Sequence, residues 1–340
     1  MIRNTIWVTT AVALLAGCAS AQVLINATGA TFPYPMYSKW FDVYKKKTGV
    51  QINYNSLGSG AGVQQVTAGT VDFGASDPPM SDEEMKAFQG KNGYAVLNFP
   101  TVLGANVPAY KLAGISQPLN FSGEVLANIF LGKITKWNDA ALAKDNLGVK
   151  LPDASIIVVH RSDGSGTTYV WTDFLSKVSP DWKTKVGTAK SVNWPLGLGA
   201  KGSEGEAGQI QNTPNSLGYV ELTYAIQNKM QYGRVQNAAG VFVAAELASV
   251  TAAAASAAKE IKDDFRVSIT NAPGKEAFPI STFTYLLVPQ QIKDPAKKKA
   301  ITDFLKWMLT DGQTQTADLH YAPLPKAVAD KELKAIAKIQ

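Results

Sequence analysis

Ile156-Ile157-Val158-Val159, then His160-Arg161-Ser162-Asp163-Gly164-Ser165-Gly166-Thr167-Thr168, then the amphipathic run from Tyr169 to Val178, is the stretch on which the fold turns. An apolar β-branched run, a tight polar turn and a helical period read as strand, turn, helix. Gly164 and Gly166 are expected to let the backbone turn sharply and to leave amide N–H groups uncovered. Ser165 or Thr167 can cap the helix. The first N–H groups of a helix lack internal partners and carry partial positive charge, so a small anion suits them. Arg161 adds a permanent charge and a planar donor fork that fits tetrahedral oxyanions. The expected chemistry is an oxyanion site, phosphate before others. One such turn usually caps a helix and nothing more; the reading gains weight because the pattern recurs twice.

The first recurrence follows the short strand Val23–Ala27. Gly29-Ala30-Thr31-Phe32-Pro33-Tyr34-Pro35 opens a helix, with Thr31 as expected N-cap and the prolines in the first turn. Tyr37, Trp40, Phe41 and Tyr44 recur at helical spacing as core, and Lys45-Lys46-Lys47 before Gly49 make the stop. The amides of Thr31 and Phe32 are anion candidates. The second recurrence follows the strand Val50–Tyr54: Ser56-Leu57-Gly58-Ser59-Gly60-Ala61-Gly62 runs into helical Val63-Gln64-Gln65-Val66, with Ser59 as expected cap. Val71-Asp72-Phe73-Gly74-Ala75-Ser76 is then a strand leading to Asp77-Pro78-Pro79, a turn.

Beyond these, Phe99 begins an apolar stretch to Tyr110 that reads as a strand crossing between domains. Phe121 to Phe130 is helical behind Ser122, and Trp137 is core within a loop. Trp194 to Gly208 reads as a Gly-rich loop entering a helix near Glu206. Gly218–Leu222 is a strand, Ala244–Ile261 an Ala-rich helix, Ile280–Val288 a strand, and Lys297–Leu309 a helix; a last helix reaches Gln340. Strands alternating with helices indicate an α/β protein.

The 340 residues suffice for two domains, and 46% hydrophobic with 18% charged residues is an ordinary globular balance. The formal charge of +6 is modest, without the Arg-rich helix or aromatic signature of a nucleic-acid binder. The single cysteine, Cys18, excludes an internal disulfide. Arg3, the apolar run Ile6–Ala16 and Ala19-Ser20-Ala21 read as a secretory signal over 1–21, too short to span a bilayer. Leu15-Ala16-Gly17-Cys18 also fits a bacterial lipobox, which gives a lipoprotein signal over 1–17 and a lipidated Cys18. Both routes stay open, and both export the chain.

Gly29-Ala30-Thr31-Phe32-Pro33, Val71–Asp77, Arg161–Thr167, Gly218-Tyr219-Val220-Glu221 and Asp318-Leu319-His320-Tyr321-Ala322-Pro323-Leu324-Pro325 together resemble the periplasmic phosphate-binding proteins of bacterial high-affinity phosphate ABC transporters. The resemblance runs from about Gly29 to about Val328. It implies a two-lobed periplasmic-binding-protein fold, type II-like, of two α/β domains joined by a hinge. It places one discontinuous lobe at 22–102 and 279–340, the other at 103–278, and hinge strands near Val102 and Pro279. By the same resemblance a buried phosphate takes bonds from Thr31, Phe32 and Ser59 and meets the carboxylate of Asp77 on one lobe. Arg161, Ser165, Gly166 and Thr167 serve it from the other. The implied partners are a membrane permease pair and its ATPase; a monomer in the periplasm and no cofactor are expected. Ser59-Gly60-Ala61-Gly62 departs from the family, which often carries a second serine and two glycines there, and Asn26-Ala27-Thr28 stands where a glycine is usual.

The residues make sense of that set. Phosphate near neutral pH keeps at least one proton and sulfate keeps none. An ionised carboxylate only accepts, so Asp77 suits the first and repels the second. Asp163 is expected to hold the Arg161 guanidinium in place or to serve simply as a turn residue. A hydrolase is poorly supported. Asp163-Gly164-Ser165-Gly166 lacks the first glycine of a nucleophile elbow, Gly199-Ala200-Lys201-Gly202-Ser203 lacks P-loop spacing, and no metal spacing occurs. His160 and His320, the only histidines, read as structural. A binder of another oxyanion and a phosphate sensor without a transporter are the remaining rivals.

Overall fold

The computed structural model describes residues 23–257 and 260–340. The signal segment and Cys18 lie outside the described residues. The chain opens β1 (Leu24–Gly29), α1 (Tyr34–Thr48), β2 (Gln51–Ser56), α2 (Ser59–Ala68), β3 (Phe73–Ser76), α3 (Asp82–Asn92) and the long β4 (Val96–Lys111). There follow β5 (Asn120–Phe121), α4 (Gly123–Phe130), α5 (Ala140–Asp145), β6 (Ile157–Arg161), α6 (Gly166–Val178), α7 (Pro180–Lys185), β7 (Leu198–Ala200) and α8 (Gly202–Asn212). The remainder is β8 (Ser216–Glu221), α9 (Leu222–Gln227), β9 (Gln231–Tyr232), β10 (Arg234–Gln236), β11 (Phe242–Val243), α10 (Leu247–Ser256), β12 (Ser281–Pro289), α11 (Pro295–Met308) and α12 (Lys326–Ala335).

One hydrogen-bonded path joins eight strands in the order β2-β1-β3-β12-β4-β8-β6-β7, and β9 adds to β4. β1 is parallel to β2 and β3, and β6 to β7 and β8, as strand–helix–strand units require. β4 is the exception that makes two lobes. Its residues Val96–Ala105 pair antiparallel with β12, whereas Asn106–Lys111 pair antiparallel with β8. The Asn106 N–H bonds Ile280 O at 2.9 Å beside that change of partner. Fifteen of its sixteen positions are shielded, all but Lys111 at its end. That explains a run too apolar to alternate.

Each lobe packs its helices on its part of the sheet. In the first, Tyr37, Trp40, Phe41 and Tyr44 of α1 are buried, and Phe41 and Tyr44 meet Phe304 of α11 at 5.4 and 5.2 Å between ring centroids. In the second, Trp171, Trp182 and Trp137 are wholly buried, and Trp171 stacks on Tyr219 at 5.0 Å. His160 stacks on Trp194 at 4.8 Å and its Nδ1 is bonded to Arg161 O, a packing role.

Four local expectations are corrected. The segment Trp194–Gly208 is not all loop: it holds β7, and α8 begins at Gly202 rather than near Glu206. The Ala-rich helix covers Leu247–Ser256 only: a capping box of Glu246 and Ser249 sets its start, and Phe242–Val243 before it pairs in a three-stranded sheet, β11-β10-β5. Pro33, not Thr31, precedes α1, and Gly58, not Ser59, precedes α2. Both hydroxyls are taken by long-range partners instead.

Candidate anion-binding site

β1, β2 and β6 deliver the N-termini of α1, α2 and α6 to one cleft between the lobes. Ser165 caps α6 as expected: its Oγ accepts the Thr168 N–H at 3.0 Å. Ser59 opens α2 and Gly166 opens α6, so their N–H groups belong to the unpaired first turn of each helix.

Gly164 and Gly166 do not act as turn formers, since neither takes a positive φ. They are glycines because the lobes meet there. A Cβ on Gly166 would lie 2.2 Å from Asp77 Oδ2 and 2.3 Å from Ser59 Oγ. A Cβ on Gly164 would lie 3.1 Å from Gly60 Cα, and the Gly60 N–H donates to Gly164 O at 2.7 Å. The departure at Gly60 is thus an interlobe contact.

Asp77 is 1% exposed. Its N–H donates to Ser59 Oγ at 3.1 Å, and the Thr284 hydroxyl donates to its Oδ1 at 3.0 Å. Burial pushes its carboxyl up to about 7, against the Thr284 bond, the charge of Arg161, the Ser59 hydroxyl and the charge of Lys190. Across the cleft, Arg161 is 2% exposed and grips Asp163 with two bonds of 2.7 and 2.6 Å. Burial works against the charge of Asp163, but those bonds outweigh it and hold its carboxyl below the usual range. The second Arg161 Nη donates to Thr167 Oγ1 at 3.5 Å and Ser203 Oγ at 3.4 Å. The hydroxyls of Ser203 and Thr31 are bonded at 2.7 Å, which carries the chain back to the first lobe. The Phe32 ring covers Gly104 of β4, where a Cβ would sit 2.6 Å from it, and Phe32 O accepts from Tyr321 at 2.7 Å.

All eight residues singled out in the sequence, Thr31, Phe32, Ser59, Asp77, Arg161, Ser165, Gly166 and Thr167, therefore gather on this cleft, in a closed arrangement. Further interlobe bonds hold it. Lys190 pairs with Glu84 at 2.6 Å, and the Tyr224 hydroxyl donates to Thr31 O at 2.7 Å. Ser203 and Thr284 escaped the sequence reading. Leu198–Ser203 does carry the same strand–glycine–serine–helix signal as Ser165, on a strand of only three residues. Thr284 has no local signal; the β3–β12 pairing alone places it. Among the described residues no group of three or more His, Cys, Asp and Glu could hold a metal ion.

Buried hydroxyls, helix N-termini, one arginine and one elevated carboxyl, shared between closing lobes, define a solute-binding protein for a small oxyanion. The model of the PBP superfamily domain matches residues 16–312. The chain is 49% identical to the phosphate-binding protein PstS of Xylella fastidiosa strain Temecula1, over 89% of this chain and 82% of that one. It is 47% identical to PstS of Pasteurella multocida, over 90% and 88%. Its fold matches that of a phosphate-binding protein from Stenotrophomonas maltophilia with TM-score 0.70 at 20% identity, covering 92% and 94% of the chains. A phosphate-bound putative phosphate transporter substrate-binding protein from Clostridium perfringens gives TM-score 0.64 at 18% identity, covering 89% and 100%. The chain belongs to the PstS family of phosphate-binding proteins.

Proposed function

We propose that this chain binds one inorganic phosphate in the interlobe cleft and delivers it to the permease pair and ATPase of an ABC importer, without covalent chemistry. Amides of Phe32, Ser59, Gly166 and Thr167 and hydroxyls of Thr31, Ser59, Ser165 and Thr167 donate to its oxygens. Arg161 supplies charge, and Asp77 accepts a hydrogen bond from the P–OH group that phosphate retains. The lobes are 22–102 with 279–340, and 103–278; closure between them buries the anion. The chain works in the periplasm as a monomer, freed near Ala21 or held by a lipid on Cys18. Among the described residues no helix is long and apolar enough to cross a membrane.

One observation carries this reading. Asp77 and Ser59 of one lobe stand against Gly166 of the other, so a buried carboxyl that Arg161 does not pair faces the helix end that attracts an anion. Above about pH 7, where Asp77 is ionised, sulfate at that spot leaves two acceptors facing each other in a dry site, a mismatch of several kcal/mol. Titration calorimetry of the purified chain with phosphate and with sulfate tests it. Stoichiometric phosphate uptake with sulfate rejected is expected, and Asp77→Asn should lose the discrimination more than the affinity. Equal binding of both anions by the parent refutes the role of Asp77, and turnover of a chromogenic phosphate ester refutes the absence of chemistry.

A further inference from the structure

Glu206 lies behind the site and serves none of the roles above. It sits on α8 three residues beyond Ser203, on the same helical face, and Ser203 Oγ accepts from Arg161. It is wholly buried, and neither carboxyl oxygen has a hydrogen-bond partner among the described residues. Arg161 does not need it, because Asp163 already pairs with that guanidinium twice. An acid left unpaired in a core is worse for stability than an apolar residue of similar size. Its position beside the one buried arginine of the site is its distinguishing property.

Resting on the phosphate reading, we propose that Glu206 is a positioning residue that sets how much of the Arg161 charge reaches the ligand, so that phosphate affinity is proton-linked through this side chain. Neutral, Glu206 leaves Arg161 offset once, by Asp163. Ionised, it offsets Arg161 a second time and weakens the hold on an anion. By linkage, a bound anion beside Arg161 favours protonation of Glu206, and binding at alkaline pH draws a proton onto it. Burial raises its carboxyl well above the usual range; the charge of Arg161 and the Tyr219 amide act against that without closing a hydrogen bond, and Asp163 adds to it. The titratable and charged groups on it are thus Arg161 from β6, Asp163 from the turn after β6 and Tyr219 from β8. Tyr224, on the adjoining α9, turns its hydroxyl to Thr31 O and to Glu204. Asp77 on the facing lobe and the ligand itself also titrate near neutrality, equally in parent and variant.

The test is calorimetric titration of inorganic phosphate into the parent, Glu206→Gln and Glu206→Val from mildly acid to alkaline pH. Each is run in two buffers of different ionisation enthalpy to count protons. Both variants should hold their affinity better than the parent as pH rises, by about tenfold at the alkaline end. The parent should take up more protons per phosphate there than either variant. Parallel profiles with equal proton counts, in whichever variant folds, overturn the proposal while leaving the phosphate reading intact. A parent that takes up no phosphate overturns that reading and the proposal with it.

Discussion

Replacing Asp77 by asparagine should make the ligand-free chain more stable at alkaline than at acid pH, relative to the parent. Asp77 is 1% exposed and its carboxyl is raised from its ordinary 3.8 to about 7, burial being the largest cause. The folded chain therefore binds this proton more tightly than the unfolded chain does. Between those two values the folded state holds more protons, so stability falls as pH rises through the window and levels off above it. Relative to a carboxyl protonated in both states, the shift costs about 1.5 kcal/mol of stability at about pH 5, where only the unfolded chain's group is ionised, and about 4 kcal/mol at about pH 8. Asparagine has nearly the same shape and cannot ionise. Whatever its amide does to the bonds from Thr284 and Ser59 is the same at both pH values and cancels in the difference. The stability of Asp77→Asn minus that of the parent should rise by about 2.5 kcal/mol between them. Urea unfolding of phosphate-free protein at both pH values measures it. A difference that does not change with pH refutes the reasoning, because it means that Asp77 is ionised in the free cleft at no cost.

Three other substitutions probe separate parts of the cleft. Arg161→Ala removes the site's charge and strands Asp163, whose side chain is 10% exposed. Phosphate affinity should fall about a hundredfold or more, with about 3–5 kcal/mol of stability lost, and an unchanged calorimetric titration contradicts the role of Arg161. Gly166→Ala puts a methyl 2.2 Å from Asp77 Oδ2, so the lobes should fail to close. Its thermal unfolding should stay close to the parent's while phosphate no longer shrinks the radius of gyration in solution scattering; phosphate-driven closure like the parent's sinks the steric account. Ser165→Ala loses the α6 cap, about 1 kcal/mol of stability, and a further 1–3 kcal/mol of binding if its hydroxyl serves the anion. A stability loss with full affinity would leave Ser165 a cap only.

What the sequence revealed depended on how far apart the interacting groups lie along the chain. The α6 turn was fully legible because strand, cap and helix are consecutive, and Ser165 caps the Thr168 N–H as its position implies. Thr31 and Ser59 stand on the cleft but do not take the local role that their positions suggest. Propensity marks a hydroxyl before a helix as a cap, while tertiary contact takes the first to Ser203 and the second to the Asp77 N–H. Gly164 and Gly166 are expected as turn formers and are not, since neither takes a positive φ. A local reading supplies a turn, and the closed cleft supplies a neighbouring lobe where a side chain would be. Thr284 is invisible for the same reason, since it reaches Asp77 across 207 residues, and Ser203 has a local signal but a partner, Thr31, 172 residues away.

The same long-range logic ties the cleft to the strand that joins the lobes. Asn106, wholly buried, is the first residue of β4 to pair with β8 instead of β12. Its N–H holds Ile280 O, and its side-chain amide donates to Thr167 O in the first turn of α6 at 3.2 Å. The residue at which β4 changes partner is thus bonded directly to the N-terminus of α6. The first turn of α6 is thereby tied to β4 at its change of partner with no intervening side chain. The glycine contacts at Gly60, Gly164 and Gly166 set how closely the two lobes approach in this arrangement.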